Sequence, residues 1–337
     1  MQPSLTTTLD NQPCNAAELA ASCNAGVPTY ILVDPMAGEP IAVERGPNES
    51  SIAEVIAART LAWGREVQAI ELAPNINLPH ALYPYLVPLY GPDDVWLAET
   101  LDIAHAERLE AQSQGIAGMG RSTQRIGAWV HSSARPEVIA AAISDLLRLR
   151  CECSSPLRYQ RLADSRVMLW AAHIAGKTAV GAALGPIQRW NCLSASGRLI
   201  EIQGCQEAPI PLRWTTAQLR QFLKGELIHA AAARYLGELS LRGLDVLPAE
   251  STLPNRVDAA LSRAQEMAVT LQLKVLRPED QTALAALLLL HAEQAVELSC
   301  REALFVSNEI DSEPMSRDLS LHELAPHLNE KLFENFP

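Results

Sequence analysis

Hydrophobic residues in the first 205 positions group into short runs that predict strands, with helical segments between them. Thr29 to Val33 is rich in β-branched and aromatic residues, and the turn-forming pair Asp34-Pro35 follows it directly. We therefore predict a strand over this run. A helix toward Trp63 is predicted with Ser50 or Ser51 as its cap, and Ser51 as the cap would place Glu54 for a capping box.

The next two elements are predicted from proline and acidic residues. Tyr85 to Leu89 resembles a short strand, and Pro84 and Pro88 would place it at a sheet edge because proline cannot donate to a strand ladder. Asp93-Asp94 then predict the start of a helix that runs to about Glu110, since negative charge is favoured in the first helical turn.

A strand, a helix and a second strand with short connections follow. The strands are predicted over Arg125 to Val130 and over Leu157 to Leu162. Short connections of this kind imply a right-handed crossover and parallel pairing of the two strands. The helix between them is predicted to begin after Ser132 or Ser133 and to end near Arg150. Its apolar stripe is predicted to contain Val138, Ala142, Leu146 and Leu149.

The first region closes with a helix and a hairpin. Ala163 to His173 has a helical pattern. Gln188 to Leu193 and Arg198 to Gln203 are predicted strands, and Ser194 to Gly197 between them has the composition of a hairpin turn.

The remainder of the chain has a different character. All six tryptophans lie within the first 214 residues, whereas the later sequence is rich in Ala and Leu and predicts only helices. The boundary is predicted between Gln206 and Trp214, where Pro209 and Pro211 interrupt regular structure. The helices are predicted from Thr215 or Thr216 to Leu239, from Arg256 to Leu273 after an Asn255 cap, from Pro278 to about Phe305, and from Ser320 to Phe333.

These patterns predict the fold class and the domain organisation. We expect a flexible N-terminal tail over residues 1–24 and an α/β domain with a mixed sheet and flanking helices over residues 25–206. An all-α region is expected over residues 215–337.

Charge and composition limit which partners the protein can bind and in which cellular compartment we expect it. The net charge of −12 disfavours binding to nucleic acid and to anionic membranes, because both repel an acidic protein. No export signal is visible, and the longest apolar run, Ala283 to Leu290, is too short to span a bilayer. Seven irregularly spaced cysteines suit reduced thiols. We therefore expect a cytoplasmic protein.

The search for catalytic motifs gives no positive result. The chain has no Gly-x-Ser-x-Gly elbow, no phosphate-binding loop and no His-Glu-x-x-His. The glycine-rich segment from Ala111 to Gln124 is interpreted as a flexible connection, because its spacing differs from the dinucleotide fingerprint. We expect no cofactor, no metal and no enzymatic activity.

The tripeptide Asp164-Ser165-Arg166 places an acidic and a basic residue at a predicted corner between a strand and a helix. Asp164 is placed to cap the helix, and Arg166 could donate paired hydrogen bonds to a carboxylate from a neighbouring segment. Two interpretations remain open: the pair fixes the corner, or Arg166 faces a binding partner.

The order of several short motifs resembles one known family. Tyr30-Ile-Leu-Val-Asp34 is similar to an early Tyr-x-Leu-Leu-Asp, and Tyr83-Pro-Tyr-Leu-Val87 to a Pro-Tyr-Leu-Val segment. Arg161-Leu-Ala-Asp-Ser-Arg-Val167 is similar to Arg-Tyr-Tyr-Asp-Pro-Arg-Val, and Gly185-Pro-Ile-Gln-Arg-Trp190 to Gly-Pro-Ile-x-x-Trp. The family is the type VI secretion adaptor or effector-chaperone family, built on domain of unknown function 4123. Ser165 replaces the family's proline, and Leu162 and Ala163 replace two aromatic residues.

The resemblance implies a non-catalytic loading factor whose residues 25–206 form the adaptor domain. Such a protein binds a toxic effector in the cytoplasm and helps to seat it on the VgrG spike or its tip protein. The residues implied for structure or partner binding are Arg161, Asp164, Arg166, Gly185, Pro186 and Trp190. Two alternatives stay open: an uncharacterised α/β enzyme, in which His131, Asp164 and Ser132 or Ser133 would converge, and an immunity-type inhibitor of a co-encoded toxin.

Overall fold

The computed structural model describes residues 13–23, 26–44, 51–121, 124–152, 158–205, 208–244, 251–271, 276–291, 295–300 and 321–335. The chain divides into two compact units. The α/β unit contains Met1–Arg108 and Thr123–Leu223, and the helical unit contains Leu109–Ser122 and Lys224–Pro337. An α/β region followed by helices is therefore confirmed. The boundary lies after Leu223 instead of between Gln206 and Trp214.

The α/β unit contains a six-stranded sheet whose described strand pairs are all antiparallel. Its strand order is β2-β3-β1-β4-β7-β8, and β5 pairs with β6 in a separate two-stranded sheet. The strands are β1 (Thr29–Val33), β2 (Gln68–Ala69), β3 (Tyr85–Leu89), β4 (Ile126–His131), β5 (Arg148–Leu149), β6 (Arg158–Tyr159), β7 (Arg189–Leu193) and β8 (Leu199–Gln203). The predicted β1, β3 and β7–β8 hairpin are confirmed.

Parallel pairing across the strand–helix–strand unit was a wrong prediction. The first predicted strand is β4, which pairs antiparallel with β1 and β7. The second is reduced to β6, which pairs antiparallel with β5 outside the main sheet. Antiparallel neighbours do not need a crossover helix, so the helix between β4 and β5 carries no information about handedness.

The central strand β1 is buried along its whole length because the sheet is covered on both faces. Leu32 packs into one apolar cluster together with Ala128 and Trp190. Ile31 packs into the cluster on the opposite face with Trp129. A strand buried on both faces has a continuous apolar run, which matches the sequence of β1.

Two side chains and a proline close the outer edge of β3. Pro88 has no N–H, and its carbonyl accepts a hydrogen bond of 2.8 Å from Arg65 Nη1. The next backbone N–H on the side away from β1 belongs to Tyr90, and it donates to Asp94 Oδ2 at 2.8 Å. The short strand β2 pairs with β3 only at Tyr85 and Leu86. The predicted edge character of this strand therefore applies to its second half, where an exposed ladder would otherwise invite aggregation.

The helices of the α/β unit are α1 (Ala16–Ser22), α2 (Ile52–Trp63), α3 (Val95–Gln112, which continues into the helical unit), α4 (Pro136–Leu146), α5 (Ser165–Ala175), α6 (Lys177–Ala183) and α7 (Thr216–Phe222). The predicted capping box of α2 at Ser51 and Glu54 is confirmed. The predicted start of α3 after Asp93-Asp94 is also confirmed.

The helix α4 differs from its prediction at both ends and in its buried face. Its N-cap is Arg135 and its last residue is Leu146, because β5 follows immediately. The buried residues are Ile139, Ala140, Ile143, Ser144 and Leu146, whereas Val138 is 41% exposed. Leu146 is buried as predicted, whereas the predicted Val138 and Ala142 lie one residue before the buried Ile139 and Ile143.

The predicted N-terminal tail is helical in its described part. Residues 1–12 and 24 lie outside the described residues. Asn15 caps α1, and Leu19 of α1 is fully buried in the cluster that also contains Ile31. Burial of Leu19 anchors this helix, so the prediction of a flexible segment is wrong for Ala16–Ser22.

The helical unit consists of α8 (Gly225–Leu241), α9 (Leu253–Thr270), α10 (Pro278–Leu290), α11 (residues 295–300) and α12 (Leu321–Asn335). The helix predicted from Thr215 is divided into α7 and α8, and α9 begins before the predicted Asn255 cap. The predicted starts of α10 and α12 are confirmed, but α10 ends at Leu290. None of the helices that the structure describes is both long and apolar enough to cross a bilayer.

Most of the segment from Ala111 to Gln124 belongs to the helical unit, which includes Leu109–Ser122, so its interpretation as a flexible connection is wrong. Ile116 is buried, and its N–H donates to the carboxylate of Glu238 on α8 at 3.3 Å. A Cβ at Gly237 would lie 2.2 Å from the carbonyl oxygen of Gln112. Glycine at position 237 therefore permits backbone contact that no other residue would allow.

Candidate functional site

The end of β1 carries a fully buried carboxylate, Asp34, which is bonded to a distant part of the sequence. Its Oδ2 accepts a hydrogen bond of 2.6 Å from Nε of Arg161, which lies 127 residues further along the chain. Its Oδ1 accepts from the backbone N–H of Met36 at 3.0 Å. Asp34 thus fixes the segment that follows β6 to the end of the central strand.

Arg161, Asp164 and Arg166 meet in one place, and the predicted helix cap at Asp164 is present. Asp164 caps α5, accepting from the N–H of Arg166 at 3.0 Å. The guanidinium of Arg166 donates to both carboxylate oxygens of Asp164, at 3.0 and 2.7 Å. Among the described residues, the carboxylate that Arg166 contacts is therefore Asp164, two residues before it. The hydrogen bond to a distant segment is made by Arg161 instead.

A third acid–base pair continues the cluster. Glu107 on α3 accepts from both the backbone N–H and the side chain of Arg125, just before β4. Arg125 also donates to the carbonyl of Glu39 at 3.0 Å. We name the following residues the Asp34 cluster: Asp34, Glu107, Arg125, Arg161, Asp164 and Arg166.

Sequence reasoning missed three members of this cluster. Glu107 lies inside a predicted helix, and Arg125 lies at a predicted strand start, where neither stands out. Asp34 was visible as the last residue of a motif after a buried strand, and that position was the available signal.

Burial dominates the electrostatics of the cluster. Loss of solvation raises the pKa of Asp34 to about 6, against the opposing effect of the Arg161 guanidinium. Burial likewise raises the pKa of Glu107, although Arg125 opposes it. For Arg166, burial lowers the pKa, but Asp164 and the neighbouring carboxylates outweigh it, so that the pKa is raised.

The arrangement of the cluster suits positioning and contact. Its carboxylates are almost completely buried, whereas the side chains of Arg125, Arg161 and Arg166 are 29%, 28% and 25% exposed. Charge-assisted hydrogen bonds hold the three arginines at fixed places. The cluster therefore joins β1, β4, α3 and α5, and the side chains of its three arginines are partly exposed.

The other three predicted residues lie at the turn into β7. Gly185 has a φ of 61°, and the carbonyl of Pro186 accepts from the hydroxyl of Ser132 at 2.7 Å. Trp190 is fully buried in the same apolar cluster as Leu32. An open groove of about 410 Å³ is lined by Ser133, Ala134, Gly185, Pro186, Ile187, Gln188, Gly204 and Cys205. Gly185 and Pro186 thus line a surface, whereas Trp190 is a core residue.

The residues of the enzyme alternative find separate hydrogen-bond partners. His131 is fully buried; its Nδ1 lies 3.0 Å from Thr29 Oγ1, and its Nε2 lies 3.0 Å from Asn191 Nδ2. Burial, and secondarily Arg189, lowers the pKa of His131 to about 4. Ser132 and Asp164 make the contacts described above. Ser133 Oγ accepts from Nε2 of Gln188 at 3.2 Å. The convergence that this alternative predicted is not found among the hydrogen bonds of these four residues.

The described residues contain no group of three or more His, Cys, Asp or Glu side chains placed to hold a metal ion. Comparison of the chain with family models, with curated proteins and with solved structures gives no match.

Proposed function

We propose that this protein is an adaptor that binds a type VI secretion effector in the cytoplasm and helps to load it onto the VgrG spike or its tip protein. Its work is complementary contact with another polypeptide, and it performs no bond-breaking step. A binding protein of this kind acts by mass action, since it stabilises the bound state of its cargo and later releases it.

The observation that carries the proposal is the bond between Asp34 and Arg161. The two residues belong to separate motifs that resemble segments of the adaptor family, and each motif was identified from the sequence alone. In the fold they form one ion pair at 2.6 Å, in which the Asp34 carboxylate is fully buried. Convergence of both motifs supports the resemblance more strongly than either motif does by itself.

Surface features agree with a binding role. The net charge of −12 favours a cargo that presents positive charge, chiefly by speeding the encounter of the two proteins. The fixed arginines of the Asp34 cluster are a residue type that is enriched at the energetic centres of interfaces.

The experiment is a secretion assay in the source bacterium with the gene of this chain deleted. We expect delivery of the effector encoded beside it to fall to background, while secretion of the spike protein continues. Complementation with the full chain restores delivery. Unchanged delivery in the deletion strain would overturn the proposal.

The same strain tests the immunity alternative. An immunity protein protects the producing cell, so its deletion makes the cell sensitive to its own effector while secretion is unaffected. We expect the deletion strain to lose delivery without such sensitivity. Self-intoxication with normal delivery would establish the immunity role in place of the adaptor role.

A further inference from the structure

An exposed aromatic ring lies at the corner between β3 and α3. Tyr90 is 74% exposed, and the guanidinium of Arg65 stacks over its ring at 4.5 Å from the ring centroid. Exposure of a large aromatic side chain has an energetic cost in water, and tyrosine paired with arginine is frequent at binding hot spots.

Hydrogen bonds hold Arg65 and the backbone of Tyr90 in place before any partner arrives. Arg65 donates to the carbonyl of Pro88 at 2.8 Å and to Asp94 Oδ2 at 2.7 Å. Asp94 also accepts from the backbone N–H groups of Tyr90 and Trp96, at 2.8 and 3.0 Å. Rigid anchors bind tightly because little conformational freedom is lost on association.

An open groove adjoins the ring and has apolar residues beside it. Its volume is about 350 Å³, and Arg65, Tyr90, Pro92 and Asp94 contribute to its lining. Pro92 is exposed, and Val95, the first residue of α3, is 64% exposed. The corner therefore combines an open groove with exposed apolar side chains at Tyr90, Pro92 and Val95.

Acidic residues surround these side chains. Asp93 lines the groove and is exposed. Glu99 and Asp102 follow Val95 on the same face of α3, at helical spacings of four and three residues, and both are exposed. Within the described part of the chain these three carboxylates form no ion pair, in contrast to Asp94.

We propose that the corner is the docking site for the effector, and that the effector face it takes carries Lys or Arg around an apolar centre. The site, which we name the Tyr90 surface, consists of Arg65, Tyr90, Pro92, Asp93, Val95, Glu99 and Asp102. This inference rests on the proposed adaptor function and assigns its cargo-binding face. Apolar contact at Tyr90 supplies affinity, and the acidic rim selects a positively charged partner.

The test is titration calorimetry between the full chain and the purified toxin-domain protein encoded beside it, made inactive by substitution of its own catalytic residue. Tyr90→Ser is expected to weaken binding at least tenfold, as loss of a hot-spot residue does. The matched control is Val269→Ser on α9, whose side chain is 78% exposed; it is expected to bind like wild type.

A second pair of variants tests the acidic rim. Glu99→Lys and Glu266→Lys change the net charge by the same amount, and both glutamates are exposed on helices. Glu99→Lys is expected to slow association severalfold at low salt, whereas Glu266→Lys leaves the rate close to that of wild type. Thermal unfolding of each variant provides the folding control.

The outcomes separate the two proposals. If wild-type protein does not bind the effector, the adaptor function fails and the docking site falls with it. If wild type binds, and both Tyr90→Ser and Glu99→Lys bind equally well, only the docking site is overturned. Equal weakening by Val269→Ser and Tyr90→Ser would also overturn it, since the effect would then not belong to this surface.

Discussion

The two units of the molecule bury arginine in opposite ways. In the α/β unit, Arg59 is 1% exposed and donates to Glu39 at 3.0 and 2.8 Å and to the carbonyls of Ala81 and Tyr83. In the helical unit, Arg234 is also fully buried, yet its Nε has no acceptor among the described residues. Its other contacts are a carbonyl at 3.5 Å and the sulfur of Met119 at 4.0 Å.

This difference shows what buried charge contributes in each unit. A buried guanidinium with full partners ties loops to the sheet, and its removal leaves those partners without a donor. A buried guanidinium with weak partners has a desolvation cost that its hydrogen bonds do not offset, so its replacement by an apolar side chain is neutral or stabilising. Arg59 therefore helps to specify the architecture of the α/β unit, whereas Arg234 contributes little to the stability of the helical unit.

Replacement of Arg59 by Met is expected to have the largest effect. It removes the donor to two carbonyls and to one oxygen of the buried Glu39 carboxylate, whose other oxygen still accepts from Tyr85, and we expect a loss of about 3–5 kcal/mol in the unfolding free energy of the α/β unit. Urea unfolding followed by tryptophan fluorescence measures it, because all six tryptophans lie in this unit. A loss below about 1 kcal/mol would contradict the role of Arg59.

The pH dependence of stability tests the buried His131 of the same unit. Its folded-state pKa of about 4 lies below the value of 6.5 for an unperturbed histidine. As pH falls, His131 therefore binds a proton in the unfolded chain before it does so in the folded protein. The free energy of unfolding is consequently lowered between about pH 6.5 and pH 4. The expected loss is about 3 kcal/mol.

Comparison with His131→Gln isolates this contribution. The contribution of Asp34 to the pH dependence of stability has the opposite sign. Because its pKa is raised in the folded state, its contribution to stability is lost as pH rises from 3.8 to about 6. Asp34 is present in both proteins, so it cancels in their difference. An identical pH dependence of unfolding in wild type and variant would contradict the assignment to His131.

Arg166→Gln is expected to have an intermediate effect, and it distinguishes the two interpretations of the corner. Because Asp164 is almost completely buried and Arg166 partly exposed, we expect a loss of about 1–2 kcal/mol in unfolding free energy. Effector binding is expected to persist, since Arg166 holds its own helix cap. Lost binding at unchanged stability would instead identify Arg166 as a partner contact.

Arg234→Met is expected to have the smallest effect and the opposite sign. Removal of a weakly partnered buried cation is expected to leave the helical unit unchanged or to stabilise it by about 1 kcal/mol. Far-ultraviolet circular dichroism follows this unfolding, with tryptophan fluorescence as the control for the α/β unit. A loss as large as that expected for Arg59→Met would remove the contrast between the units.

Local sequence patterns were sufficient for elements whose signals are local. The capping box at Ser51, the strand at Thr29–Val33 and the hairpin of β7 and β8 depend on residues close in sequence. The pairing of strands does not, and β4 joins β1 and β7 through contacts that no short segment specifies. The position of Leu109–Ser122 in the helical unit is non-local for the same reason.

The candidate site follows the same division. The Asp164 cap was predicted because the cap and its N–H lie two residues apart. The pairing of Arg161 with Asp34 was not predicted, because it depends on how the segment after β6 returns to the end of β1.

The central claim is that this chain forms a stable complex with an effector and has no turnover. Mass measurement of the chain co-expressed with the inactive effector encoded beside it tests that claim most directly. We predict a complex of defined stoichiometry that survives size-exclusion chromatography and contains both unmodified chains. Elution of the two proteins at their separate masses, or conversion of the effector to a product, would contradict the claim.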